Sequence, residues 1–378
     1  MADRATIYHR WQFGLGLGQL SLTVAYLTIL LATGTSTALR ERIAERSALP
    51  WLQLGVALGL LGAGHQLLTA PLSWLQGFWL PRRFGILHQA FTSWCWDRMK
   101  GGLIGGVLAL IATEIVYGLL SLTPFWWLWA AGIFFAGSTL LARVVPVWIA
   151  PLFYPLTPLA DGPLRDRLLG LARRAAVPVV GAWVADQSRK SRTANAALVG
   201  LGRTRRILLF DTLIRAFSPD EVESVLAHEL GHHLHRDIWR GLGFQGALTL
   251  VTFWVADGLL RLGSEWLGLR GPADLAGLPL LGLILVGLGL VAMPLGNGFS
   301  RRMERQADDF ALAVTGNPSA FVGAMERLAD LNLAERRPNR LKEFFFFSHP
   351  AIDRRIDRAR RWNPNATLGA CRSKAEAR

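Results

Sequence analysis

The chain has 378 residues, 51% of them hydrophobic, with 39 glycines, 15 tryptophans and only two cysteines. Positive mean hydropathy excludes an ordinary soluble domain of this size, and Cys95 and Cys371 form neither a disulfide framework nor a thiolate metal site. The net charge of +14 comes without any nucleic-acid recognition motif, so it reads as membrane topology and attraction to anionic lipid rather than nucleic-acid binding.

Six uncharged stretches approach the ~20 residues that a helix needs to cross a bilayer. They run over residues 11–33, 51–73, 101–122, 125–142, 241–262 and 275–299, the fifth carrying Asp257. The first is too long for a signal-peptide core and lacks a small-residue cleavage site, so it reads as an anchor. Phe125 to Trp129 resembles an interfacial aromatic belt. Six spans put both ends on one side. Arg4, Arg10, Arg82, Arg83, Arg98 and Lys100 fall on that side, with Arg143, Arg236, Arg240, Arg301, Arg302 and Arg305 at the span ends; Arg40, Arg42, Arg46 and Arg270 fall on the other. The excess makes the side of the termini cytoplasmic. Glu114, His65 and Asp257 are costly in lipid and should face a water-filled interior or a partner.

Four regions follow. Residues 1–163 hold four spans and a proline-rich interfacial stretch, and 164–237 form the first part of a polar unit. Residues 238–299 make a two-span hairpin, and 300–378 complete the polar unit and end in a loose tail. The first polar part opens with a helical pattern over 164–176. Short apolar runs at 179–184, 195–199 and 207–210, separated by turn residues such as Gly200 and Gly202, predict a small antiparallel sheet. Ser218-Pro219-Asp220-Glu221 is a helix start with a capping box and proline at the first position, and the helix should run to about His235.

That helix contains His228-Glu229-Leu230-Gly231-His232. Histidines at i and i+4 share a face and can reach one zinc ion. Glu229 lies about 100° round the helix, where it can take a proton from a polarised water, which is equipment for amide hydrolysis. A catalytic zinc usually takes three protein ligands and leaves one position open. His233 points away and His235 lies too far along the axis. Glu304 is the third ligand that the spacing favours, with Asp308 one turn on to accept a hydrogen bond from a ligating histidine. An ordinary acidic face would explain either carboxylate alone. This pairing joins the two polar parts into one catalytic unit.

At these residues the sequence resembles the type I CAAX prenyl protease family, integral-membrane zinc metalloendopeptidases related to the HtpX proteases. Arg83 to Ile86, Asn195 to Leu213, Val225 to Asp237, Ser300 to Ala311 and Ser348-His349-Pro350 with Arg355-Ile356 carry the likeness. The resemblance implies about six transmembrane helices around a chamber and a zincin-like α+β catalytic domain. It implies one Zn2+ on His228, His232 and Glu304, Glu229 as general base and Asp308 as the carboxylate behind the ligands. It also puts Asn195 on a substrate-flanking strand and gives His349 a part in stabilising the transition state. The chain departs from the family in two ways: an N-terminal span is missing relative to the seven of eukaryotic members, and Thr193-Ala194-Asn195-Ala196 replaces the usual strand sequence. The implied partners are a bilayer and a peptide or membrane-protein substrate, prenylated or not. Asn195 could equally be a strand-end residue and His349 a loop histidine. A quality-control protease without CAAX preference, or a non-catalytic membrane protein with structural zinc, are the alternatives.

Overall fold

The computed structural model describes residues 4–200 and 205–363. Gly202, Cys371 and the expected tail lie outside the described residues.

The chain begins with α1 (Arg4–Ala32), a short α2 (Thr35–Ala44), and α3 (Pro50–Trp74), which continues through a π-helical turn (Leu75–Trp79) into α4 (Leu80–Arg83). Then come α5 (Phe91–Leu122) and α6 (Trp126–Val144). Five helical stretches are long and apolar enough to cross a membrane: Arg4–Ala32, Pro50–Arg83, Phe91–Leu122, Asp237–Trp266 and Leu275–Thr315. The expected fourth span corresponds to the shorter apolar stretch Trp126–Ala142 of α6. Most side chains along these helices face outward, where lipid replaces water as solvent for Leu103 and Leu122. Between α3 and α5 lies a cavity of about 1390 Å3, walled by Gly55, Gly59, Gly102 and Gly106 and by His65. His65 Nε2 sits 2.9 Å from Thr23 Oγ1, and Asp257 accepts from the Trp126 indole (2.6 Å) and from Arg261 (3.0 Å). Two of the three costly polar groups thus have partners; Glu114 makes no hydrogen bond among the described residues.

At one end of the bundle, Arg40 pairs with Asp274 and Arg270 with Glu41 (2.7 Å), which joins α2 to the loop before the last span. At the other end the polar unit begins. β1 (Leu156–Pro158) precedes α7 (Pro163–Arg174), β2 (Gly181–Ala185), β3 (Ala196–Val199), β4 (Arg206–Phe210) and α8 (Asp211–Ala216). The strand order is β1-β2-β4-β3. The sheet is mixed rather than antiparallel as expected, since β2 runs parallel to β4. The reason is the link after β2: its Gln187 and Ser188 amides donate to Asp211 Oδ1 (2.9 and 3.0 Å), just past the end of β4. That anchor brings the ends of β2 and β4 together and sends β3 round to the outer edge as an antiparallel partner of β4. Alternation of apolar residues marks a strand but does not encode its direction.

α9 (Pro219–Leu234) carries the predicted capping box: Glu221 N donates to Ser218 Oγ (3.3 Å), and Ser218 N donates to Glu221 Oε2 (2.7 Å). Val222, Leu226 and Leu230 form its buried stripe against Ile207 and Leu209 of the sheet, Leu312, and Phe321. Arg236 then adopts a left-handed conformation (φ 56°), turning the chain sharply into α10 (Asp237–Trp266). After the return, α11 (Leu278–Thr315) is one 38-residue helix that leaves the membrane and continues into the polar unit. α12 (Pro318–Leu331), α13 (Arg340–Phe346) and α14 (Ile352–Arg360) close that unit.

α9 and α11 cross at Gly231, where an added Cβ would lie 3.0 Å from Ala307 Cα and 3.2 Å from the Ala307 carbonyl oxygen. A backbone neighbour cannot swing aside as a side chain can. Gly231→Ala gains helix propensity of ~1 kcal/mol but forces the two helices apart, an overpacking cost of ~1–3 kcal/mol. We predict a net loss of thermal stability together with weakened metal binding, measured by unfolding and by metal titration of the purified variant; an unchanged metal affinity would show that the close crossing does not set the site.

Candidate metal centre

The buried stripe of α9 fixes which way its opposite face looks, and that face presents His228 and His232. Their Nε2 atoms lie 3.1 Å apart. α11, pressed against α9 at Gly231, brings Glu304 into the same space, with Oε2 3.3 Å from His228 Nε2 and Oε1 3.3 Å from His232 Nε2. Among the described residues these three form a group able to hold a metal ion, with ligand atoms all within 4.8 Å of one another.

Each imidazole is oriented from behind. His228 Nδ1 lies 2.9 Å from Asp308 Oδ1, and Asp308 is gripped by both arms of the Arg355 guanidinium at 2.6 and 2.9 Å. His232 Nδ1 lies 2.9 Å from Asp237 Oδ2, and Arg240 holds the other Asp237 oxygen at 2.8 Å while also reaching Gln306 of α11 at 2.7 Å. Asp308, Glu304, Asp237 and His228 are all buried. With carboxylates occupying both Nδ1 atoms, both Nε2 lone pairs converge on the Glu304 carboxylate, and the buried Oε2 of Glu304 has no hydrogen-bond partner. Three acceptors facing one another demand positive charge between them. The set of two imidazoles and a carboxylate suits zinc, and the residues fit the ion.

Electrostatics agree. Burial works against a charged His228, but its Asp308 and Glu304 partners outweigh that and push its pKa up to about 9, so protons compete with a metal there. Glu229, half-buried on the neighbouring face of α9, is pushed upward by burial, against the pull of the two histidines. A raised carboxylate pKa is what a proton carrier near neutrality requires.

His349 lies in the loop before α14, exposed, with Nε2 3.2 Å from Glu304 Oε1 and Nδ1 2.9 Å from Ser348 Oγ. Asn195 immediately precedes edge strand β3, where its Oδ1 accepts from the Ala196 amide at 2.9 Å. Both line a cavity of about 570 Å3 that also reaches Arg355. The structure therefore gathers His228, Glu229, His232, Glu304, Asp308 and His349 around one point, with Asn195 on the wall of the adjoining cavity. His233 and His235 stand apart from the group, and His235 instead faces the Phe310 ring.

Asp237 and Arg355 carry no role in the sequence reading. Each sits in a stretch that bears the family likeness, and that was the only signal. Because Asp237 holds the His232 ring from behind, we predict that Asp237→Ala lowers metal affinity ~10–100-fold while leaving the fold intact, as read by metal titration beside circular dichroism; an affinity equal to wild type would remove this role.

Two family models divide the chain between them. Residues 158–363 match the model described as peptidase family M48, and residues 2–155 match the CAAX prenyl protease N-terminal model, described as five membrane helices. Among similar proteins, the uncharacterized metalloprotease YhfN of Bacillus subtilis is 30% identical over 336 residues, covering 88% of this chain and 79% of the relative. CAAX prenyl protease 1 of Saccharomyces cerevisiae is 29% identical over 318 residues, covering 79% and 70%. The crystal structure of S. mikatae Ste24p shares the fold with a TM-score of 0.74 at 21% identity, over 95% of this chain and 99% of that one. The chain therefore belongs to peptidase family M48, as a multi-pass membrane metalloendopeptidase akin to the CAAX prenyl proteases.

Proposed function

We propose that the chain is a zinc endopeptidase in which His228, His232 and Glu304 hold a single ion and Glu229 moves the proton. The observation that carries this reading is the convergence of the two Nε2 atoms and the orphaned Glu304 Oε2 on one point. Zinc held there supplies Lewis-acid polarisation of a water and of the scissile carbonyl. Glu229 accepts the proton of the attacking water and passes it to the leaving amine, a role served by its half-buried place beside the ligands. Asp308, braced by Arg355, and Asp237, braced by Arg240, keep the imidazoles aimed. His349 and Asn195 donate to the oxygen on which negative charge develops. An extended peptide can add to the outer edge of β3, which places its backbone across the cavity shared by Asn195 and His349.

The substrate is a peptide or membrane protein, with CAAX-type cleavage as the first reading because the relatives named CAAX prenyl protease 1 match most of the chain. Cleavage of membrane proteins without CAAX preference is the second, favoured by the departure at Thr193-Ala194-Asn195-Ala196. A farnesylated CAAX peptide and its unprenylated twin, assayed side by side, separate the two.

Glu229→Gln keeps the size of the side chain and removes its capacity as a base. We predict full zinc content and a fall in peptide cleavage of ~100-fold or more; a variant that retains zinc and also cleaves normally would end this mechanism. We further propose that the site faces the cytoplasm, following the arginines at the span ends. Cys95 is exposed near the start of α5, on the side of the site. In a Cys371→Ser background, an impermeant maleimide should label Cys95 in inside-out vesicles and leave right-side-out vesicles unlabelled; the reverse pattern would invert the orientation.

A further inference from the structure

α11 passes Phe299, the last residue of its apolar stretch, and within two residues presents Arg301. Arg301 Nη1 donates to the Glu343 carbonyl at 2.9 Å and also reaches the carbonyls of Phe344 and Phe347, so it holds α13 at the level where α11 leaves the membrane. Phe346 of α13 meets Phe13, near the start of the first span, edge to face at 5.1 Å. α13 nevertheless leaves Phe344, Phe345, Phe346 and Leu341 exposed, at 50%, 40%, 48% and 70%. Exposed phenylalanines at that depth have lipid as their natural solvent.

Behind α13 opens a cavity of about 760 Å3 walled by Arg301, Arg305, Arg354, Arg355, Arg358 and Arg361. Asp308, Asp309 and Glu343 are the carboxylates on its wall, and they are taken by Arg355, Arg358 and Arg354 respectively. Arg305 and Arg361 form no ion pair among the described residues, and Arg301 is spent only on carbonyls. Trp362 lines the same cavity, and its buried indole N–H has no hydrogen-bond partner among the described residues. Six cations against three anions make a receptor for an acceptor-rich anion.

We propose that this cavity binds the headgroup of an anionic phospholipid, its phosphodiester among Arg301, Arg305 and Arg361 and its acyl chains directed toward the phenylalanines of α13. The two observations are independent: the basic cavity calls for an anion, and the exposed aromatic helix at the membrane exit says that the anion carries hydrocarbon. The lipid would brace the segment that leads through Phe347 to His349, which couples bilayer composition to the metal centre. The site needs no catalysis to be detected, so its test stands apart from the protease reading.

The full chain, purified in mild detergent, is mixed with equal amounts of dioleoylphosphatidylglycerol and dioleoylphosphatidylcholine, and retained lipid is counted by native mass spectrometry. Phosphatidylglycerol should be retained at least tenfold over phosphatidylcholine. Arg305→Glu/Arg361→Glu should abolish the preference, and the milder Arg305→Gln/Arg361→Gln should reduce it in a protein that still unfolds at the wild-type temperature. Reversal of Arg173 and Arg189, on the polar unit away from the cavity, should leave it unchanged. Equal retention of the two lipids would overturn the proposal, as would a preference that survives both double variants. Displacement of the lipid by millimolar inorganic phosphate would reassign the cavity to a free oxyanion. Displacement by a short peptide with a free C-terminal carboxylate would reassign it to substrate, and either result also overturns the proposal.

Discussion

The polar unit is arranged around a convergence: two imidazoles and a carboxylate brought within 3.3 Å of one another. They are kept together by carboxylate–guanidinium pairs behind each ring, Asp308 with Arg355 and Asp237 with Arg240. These pairs make the rings better ligands and hold them in one orientation, at a cost that the surrounding packing must offset. The convergence therefore presents a cation with a ready-made set of donors.

The membrane helices contribute by delivering one wall of this site. Because α11 continues without a break from the bilayer to Thr315, the position of Glu304 is set by a helix anchored in lipid, while His228 and His232 sit on α9, anchored in the polar core. Gly231 is where the two frames meet at backbone contact. Arg236 complements that contact, because its left-handed turn ends α9 and returns Asp237, the first residue of the next span, onto His232. The hairpin of α10 and α11 is thus an insertion only along the chain. In space it supplies Glu304 and the two carboxylates, Asp308 and Asp237, that lie behind the imidazoles.

What could be read from the sequence follows from this division. Helical periodicity alone put His228 and His232 on one face, and counting ligands pointed to Glu304 with Asp308 one turn on; the capping box placed the helix start. Spans were legible because lipid imposes length and apolarity together. Asp237 was not legible, since its approach depends on a positive φ at an arginine, where glycine would be the ordinary signal. Arg355 reaches Asp308 across 47 residues of chain, and no local pattern predicts such a pair. The parallel pairing of β2 with β4 escaped for a similar reason: it rests on Asp211 accepting two backbone amides from the loop after β2, a tertiary contact.

The placement of α13 extends the same logic to regulation. Its apolar run is too short to register as a span, and its meaning comes only from neighbours: Arg301 and Asn297 of α11 on its carbonyls, Phe13 of α1 against Phe346, and His349 two residues beyond Phe347. A segment gripped by two membrane helices and leading into the metal centre will feel what those helices feel. Glu304 meets His349 at 3.2 Å, so a displacement of the α13 loop alters the His349 side of the site. His349 thus stands on the loop that α13 holds, whereas His228, His232 and Glu304 stand on α9 and α11, which meet at backbone contact at Gly231.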